Sequence, residues 1–250
     1  MTDYNKKRYG LLGKNISYSF SKGYFTDKFN AENYEGYTYE NFDIQDISEF
    51  VEIIKNNYQE LEGMNVTIPY KEAVMPYLDK LSKKATLIGA VNTIKFTKKG
   101  QLKGYNTDYY GFKKALKPLL QAHHKSALIL GTGGASKGVS FALDELGIKY
   151  TFVSRIANEN TISYEQINAD TFNEHTIVIN ATPVGTSPNI EAFPMIPYDY
   201  FTDNHIAFDL IYNPAETQFL KKAAERGAQI KNGHEMLVFQ AEKAWEIWNR

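Results

Sequence analysis

The chain has 250 residues, 43% of them hydrophobic, enough for one large or two small domains with a buried core. A formal net charge of -1 gives no bulk electrostatic reason to bind nucleic acid. The absence of cysteine excludes disulfides, thiolate nucleophiles and cysteine-ligated zinc, and fits a cytoplasmic setting.

The opening stretch MTDYNKKRYG lacks an apolar core, so no signal peptide is expected there. No apolar run approaches the ~20 residues of a membrane span. RYGLLG reads as a strand. In ISYSFS the serines Ser17, Ser19 and Ser21 recur every second residue, and an extended backbone would aim all three hydroxyls one way. Such a row suits either a polyhydroxylated ligand or a loop that caps a helix. YEGYTYENFD is a second strand. ISEFVEIIKNNY follows as a helix, with Ile47, Phe50, Val51, Ile54 and Tyr58 at helical spacing.

GMNVTI is a third strand, and NVTIPYK ends it at Lys71. Lys71 either opens a solvated helix, KEAVMPYLDKL, which Pro76 kinks or ends, or carries its charge from the strand end into a cleft. ATLIGAVNTIKF and QLKGYN are strand-like, separated by the turn TKKG, and Asn92 is a lone amide in the first of them. GYNTD adds Asn106, Thr107 and Asp108. Asp108 is either part of a polar site or the N-cap of the helix YYGFKKALKPLL. His123 and His124, adjacent and unable to face one ligand, read as a solvated loop, and no metal is expected.

From there the chain alternates unbroken apolar strands with helices, the pattern of a parallel sheet covered on both faces. LILGTGGASKG follows a buried strand and opens a helix. Its glycines, Gly131, Gly133 and Gly134, permit a tight turn and close approach to a pyrophosphate at the helix N-terminus. The spacing departs from the usual G-x-G-x-x-G. The next strand, TFVSR, ends about 24 residues on, where a carboxylate for the ribose hydroxyls of NAD is usual. Ser154 and Arg155 stand there instead, and an arginine can clamp a 2′-phosphate, which points to NADP. INATPVGTSP leaves a buried strand through small polar residues, with Thr182 a candidate ribose contact. HIAFDLIY is a further strand, and ETQFLKKAAERGAQI is helix then strand. In the last helix, GHEMLVFQAEKAWEIW, Gln240 falls in the apolar stripe of Met236, Leu237, Ala244 and Trp248 and needs partners from backbone or ligand. The expected class is α/β: an N-terminal α/β domain over residues 1–107, then a Rossmann-like, doubly wound domain with a parallel sheet over 108–233.

N-V-T-x-P-x-K at 65–71, A-V-N-T at 90–93, G-x-N-T-D-x-x-G at 104–111, G-x-G-G-A at 131–135, N-A-T-P-x-G at 180–185 and M-L-x-x-Q at 236–240 occur in one order along almost the whole chain. This set resembles the shikimate dehydrogenases of the shikimate/quinate dehydrogenase family. The resemblance implies NADPH-dependent reduction of 3-dehydroshikimate to shikimate, in aromatic amino-acid biosynthesis. It makes Lys71 and Asp108 the catalytic pair. Ser19 and Ser21 would hold the substrate carboxylate with help from Tyr212, while Thr67, Asn92 and Gln240 would bind its hydroxyls. Gly131, Gly133, Gly134 and Ala135 would cradle the pyrophosphate, and Ser154 and Arg155 would face the adenosine phosphate. Thr182, Ile211 and Gly233 would lie near the nicotinamide ribose and ring. The last helix, 234–250, would return to complete the substrate domain. A small-molecule substrate, shikimate or 3-dehydroshikimate, is expected as partner, with no nucleic acid and no membrane, for a monomer or homodimer.

The chain departs from the family pattern in places. H-S-x-S-P is here Tyr18-Ser19-Phe20-Ser21-Lys22, and His234-Glu235 replaces smaller residues. The phosphate clamp is Ser154-Arg155-Ile156, with Asn158 and Glu159 where a second cation is common. Three other readings stay open: a quinate/shikimate dehydrogenase with relaxed substrate or NAD use, a cofactor-binding homologue without catalysis, and a methylene-tetrahydrofolate dehydrogenase, which shares the two-domain plan.

Overall fold

Among the described residues, two six-stranded sheets organise the chain. The computed structural model describes residues 6–17 and 19–250. Residues 1–5 of the stretch read for a signal peptide, and Tyr18 of the serine run, lie outside the described residues. The chain divides into two compact units, Met1–Thr107 with Ala241–Arg250, and Asp108–Gln240.

The first unit contains β1 (Lys7–Gly13), α1 (Phe20–Ala31), β2 (Tyr37–Asp43), α2 (Glu49–Asn57), β3 (Leu61–Val66), α3 (Tyr70–Ala73), β4 (Lys80–Leu81), α4 (Lys83–Ile88), β5 (Thr93–Phe96) and β6 (Leu102–Tyr105). The strand order is β2-β1-β3-β5-β6-β4. β1 pairs parallel to β2 and β3, whereas β5 runs antiparallel to both β3 and β6. Side-chain alternation splits β1 between two cores. Leu12 joins Met64, Val66, Ile94 and Phe50 on one face, while Tyr9 and Leu11 join Phe25, Phe29, Ala244 and Trp248 on the other.

The second unit contains α5 (Asp108–Leu116), β7 (Ser126–Leu130), α6 (Gly134–Leu146), β8 (Lys149–Ser154), β9 (Thr161–Ser163), α7 (Ala169–Glu174), β10 (Ile177–Asn180), β11 (Ile206–Asp209), α8 (Gln218–Ala224) and β12 (Gln229–Lys231). In the same unit begins α9 (His234–Trp248), whose residues from Ala241 on group with the first unit. Every pairing in this sheet is parallel, in the order β12-β11-β10-β7-β8-β9. That is the doubly wound order of a Rossmann fold, which reverses between β7 and β10. The unbroken apolar strands follow from burial on both faces. Ala127, Ile129, Ile177, Ile179 and Phe208 pack under α5 and α6, and the alternate residues Leu128, Leu130, Val178 and Ala207 meet Phe172, Phe219 and Leu220.

Several segments differ from the sequence expectation. The run ATLIGAVNTIKF is not one strand. Ser82 caps a helix by accepting from the Ala85 N–H at 3.2 Å, Gly89 at φ +70° ends it, and only Thr93–Phe96 is extended. ISYSFS does not stay extended either, because α1 begins at Phe20, so Ser21 is helical. The helix from Lys71 is one turn, replaced by a 3₁₀ turn, Met75–Tyr77, around Pro76 and then by β4. His124 is buried rather than solvated: its Nδ1 accepts from the Gln121 N–H at 2.9 Å, and its Nε2 meets the Asn204 carbonyl at 3.2 Å. Among the described residues, no helix is long and apolar enough to cross a membrane.

Candidate active site

In an open parallel sheet the ligand crevice lies at the carboxyl edge where the strand order reverses. In the second unit that edge carries Gly131 after β7 and Ala181 after β10. Gly131 has φ +100°, and a Cβ there would sit 2.9 Å from the Thr182 methyl, so only glycine fits the turn. Gly133 caps α6 with open space where a side chain would be, and Gly134 and Ala135 form the helix's first turn. A cavity of about 790 Å³ opens here, walled by Gly131, Gly133, Thr182, Ser154 and Arg155. This volume suits a nucleotide-sized ligand. The bare glycine backbone at a helix N-terminus fits a pyrophosphate, so the residues present fit a dinucleotide.

A buried polar network holds the nicotinamide-side candidates. Asn180 and Asp209, the last residues of β10 and β11, are in register and fully buried. Asn180 Nδ2 donates to Asp209 Oδ1 at 3.1 Å, and Asn180 Oδ1 accepts from the Thr182 N–H at 3.1 Å and its hydroxyl at 2.6 Å. Asp209 also accepts from the Ile211 N–H at 3.0 Å and the Thr217 hydroxyl at 2.6 Å. Burial pushes the Asp209 carboxyl up to about 6, against the pull of Thr217, Ile211 and Asn180. Gly233 N–H donates to the Ile211 carbonyl at 3.0 Å. Thr182, Ile211 and Gly233 are thus fixed at one sheet edge. Thr182 spends its hydroxyl proton on Asn180 and accepts from the Val184 N–H at 3.2 Å, leaving one lone pair for a ligand.

Asp108, Tyr212 and Gln240 belong to this unit as well. Asp108 is the first residue of α5 and is buried; Tyr212 follows the β11 turn half-buried. Gln240 is buried, and its Nε2 donates to the Leu237 carbonyl at 3.0 Å.

The remaining candidates lie in the first unit. Ser19 occupies the N-cap of α1, yet its hydroxyl makes no cap bond and is buried without a partner. A buried hydroxyl left unpaired is costly, which favours the ligand reading over the capping one. The Tyr39 hydroxyl donates to Asn65 Oδ1 at 2.8 Å, and Ser21 lies near enough to act on the same phenol. Asn65 Nδ2 meets the Asn92 carbonyl at 3.2 Å, and Asn92 Oδ1 accepts from the Thr107 N–H at 2.6 Å. The segment around Thr67 and Lys71 is pinned by backbone bonds: Thr67 N–H to Leu12, Tyr70 N–H to Thr67, and Val91 N–H to Lys71 at 2.7 Å. Lys71 is half-buried. Ser19, Ser21, Thr67, Lys71 and Asn92 therefore share the first unit.

Sequence reasoning missed Asn180, Asp209, Thr217, Tyr39, Tyr164 and Glu165. A signal existed for the first two, since two successive apolar strands, IVIN and IAFD, each end on a polar residue. Among the described residues, no group of three histidine, aspartate or glutamate side chains could hold a metal.

Strand order and glycine turn define the class, a protein with a Rossmann-type dinucleotide-binding unit. A family model described as the shikimate dehydrogenase substrate binding domain matches residues 11–94. A shikimate dehydrogenase (NADP(+)) of Clostridium beijerinckii is 39% identical, over 96% of this chain and 91% of its own length. The crystal structure of shikimate 5-dehydrogenase from Thermus thermophilus in complex with NADP(H) and shikimate aligns with TM-score 0.85 at 31% identity, covering 97% of this chain and 93% of that one. Quinate dehydrogenase from Corynebacterium glutamicum in complex with NAD aligns with TM-score 0.85 at 27% identity, over 97% and 93%. The chain belongs to the shikimate dehydrogenase family.

Proposed function

We propose that this protein is an NADP-dependent shikimate dehydrogenase, reducing 3-dehydroshikimate to shikimate reversibly, in the cytoplasm as a monomer or homodimer. The observation that carries the reading is the glycine-lined crevice at the reversal point of the parallel sheet, on a chain 39% identical to a shikimate dehydrogenase (NADP(+)). NADPH, when bound, supplies the hydride.

The chain's own residues handle the proton and the charges. Lys71 is the proton donor to the carbonyl oxygen in reduction and the acceptor in oxidation. An ammonium within hydrogen-bond reach stabilises the alkoxide as it forms. Asp108 is the acidic member of the catalytic pair. Ser19 and Ser21 take the substrate carboxylate with Tyr212, and the partnerless Ser19 hydroxyl supports that role. Thr67, Asn92 and Gln240 bind hydroxyls, the amide of Asn92 being oriented by Thr107. Gly131, Gly133, Gly134 and Ala135 hold the pyrophosphate, Ser154 and Arg155 the adenosine phosphate, and Thr182, Ile211 and Gly233 the nicotinamide side. The substrate domain is residues 1–107 with 234–250, and the cofactor domain is 108–233.

The test is oxidation of shikimate or quinate with NADP or NAD, on wild type and Lys71→Ala. Turnover of shikimate with NADP is expected, falling about 10²–10⁴-fold or more in the variant while cofactor affinity holds. A retained rate in Lys71→Ala would overturn the role of Lys71. Cofactor binding without turnover on either substrate would make the chain a non-catalytic homologue.

A further inference from the structure

An acid that would meet the ribose is absent from the end of β8, but the fold brings one from the neighbouring strand. β8 and β9 pair in parallel with Ser154 opposite Ser163. The residues that follow, Arg155 on one side and Tyr164 and Glu165 on the other, leave adjacent strand ends about 4.8 Å apart. All of them line the same cavity. The Ser163 side chain, two residues before it, holds the Glu165 carboxyl below the usual carboxylate range. Arg155 lies near enough that its charge acts on the Tyr164 phenol.

Among the described residues that wall the cavity, Arg155 is the one cation and Glu165 the one anion. Residues 156–160 bring no second cation, only Ile156, Ala157, Asn158, Glu159 and Asn160. The Asn158 side-chain oxygen closes its own turn, accepting from the Asn160 N–H at 2.8 Å. The corner therefore has no net positive charge from its lining.

We infer that Glu165 is a specificity-determining residue: from the end of β9 it offsets Arg155, weakens the hold on a 2′-phosphate and admits the free ribose diol, so NAD binds alongside NADP. The inference rests on the dinucleotide reading of the crevice. A 2′-phosphate carries nearly two negative charges and the diol none, so repulsion from Glu165 enters the binding of the phosphorylated ligand alone. The carboxylate can also accept from the diol, as the acid of an NAD site does. At the exposed mouth of a cavity, over separations on the order of 7 Å and at physiological salt, the repulsion is about two- to fivefold in affinity.

The probes are adenosine 2′,5′-bisphosphate and adenosine 5′-monophosphate, which differ only in the 2′-phosphate. Their dissociation constants are measured by calorimetry on wild type, Glu165→Gln and Arg155→Gln, at low and high salt. Glu165→Gln is expected to tighten the bisphosphate about two- to fivefold and to leave the monophosphate unchanged or weaker, with the gain shrinking as salt rises. Arg155→Gln is expected to weaken the bisphosphate selectively. Equal changes for both probes, or none, in Glu165→Gln would overturn the role of Glu165 while the dinucleotide reading stands. Failure of both probes to bind wild type would overturn that reading and the inference together.

Discussion

Asp209 is the buried group whose removal gives the sharpest thermodynamic signature. Its carboxyl is raised from 3.8 to about 6, which corresponds to about 3 kcal/mol between its two protonation states. The folded state therefore holds this proton more tightly than the unfolded chain. Stability from Asp209 is complete below 3.8 and is lost as the pH rises to about 6, above which both states are ionised. Asparagine suits the site. Its oxygen can take the bonds from Asn180 and Ile211, and its amide can face Thr217, whose hydroxyl can turn to accept. Asp209→Asn should therefore mimic the protonated acid at every pH. The stability difference, variant minus wild type, should grow by about 2 kcal/mol between pH 4 and pH 7.5, with other titrations cancelling. Urea unfolding followed by far-UV circular dichroism at several pH values measures it. A difference independent of pH, or one that shrinks toward pH 7.5, would refute the reasoning.

Two further expectations concern packing and acid. In Gly111→Ala the new Cβ would stand 2.4 Å from the Met236 carbonyl oxygen and 3.1 Å from the Gln240 backbone nitrogen, so α5 and α9 must part. A loss of about 1–3 kcal/mol is expected by denaturant unfolding, and an unchanged midpoint would contradict the close approach. Burial lowers the His205 imidazole from its ordinary value of 6.5, while its Nδ1 accepts from the Thr202 N–H at 3.1 Å and its Nε2 meets the Phe172 carbonyl at 3.1 Å. The unfolded chain takes up this proton first, so its contribution to stability is present above 6.5 and is lost as pH falls. His205→Gln should flatten that acid limb, and an unaltered limb would assign the loss to other groups.

The second unit was legible because its central strands, β7, β10 and β11, are apolar along almost their whole length, a pattern that parallel pairing covered on both faces imposes. The glycine turn was legible because backbone geometry there restricts the residue itself. Short elements defeated periodicity. The six residues Lys83–Ile88 are too few to show a helical stripe, and their real signals were the cap Ser82 and the stop Gly89. α1 was hidden by a different cause, since FSKGYFTDKFNA spreads aromatic residues around the helix and buries only Phe25 and Phe29 deeply. The buried amides and carboxyl of Asn65, Asn180 and Asp209 could not be paired from sequence, because their partners come from adjacent strands. Glu165 escaped for the same reason. It reaches the crevice through the register of β8 and β9, whereas the sequence places it about 10 residues beyond the motif it joins.

Both tryptophans of the chain, Trp245 and Trp248, sit in the aromatic cluster of the first unit. Trp245 lies 5.4 Å from the rings of Tyr9 and Phe29, and the Trp248 indole N–H donates to the Ile94 carbonyl at 3.0 Å. Intrinsic emission is therefore a beacon for one unit, while circular dichroism sums over both. Superimposed melting curves from the two optical signals would mean that the units come apart as one cooperative body. Separated curves would give each unit a stability of its own, read from a single unlabelled sample.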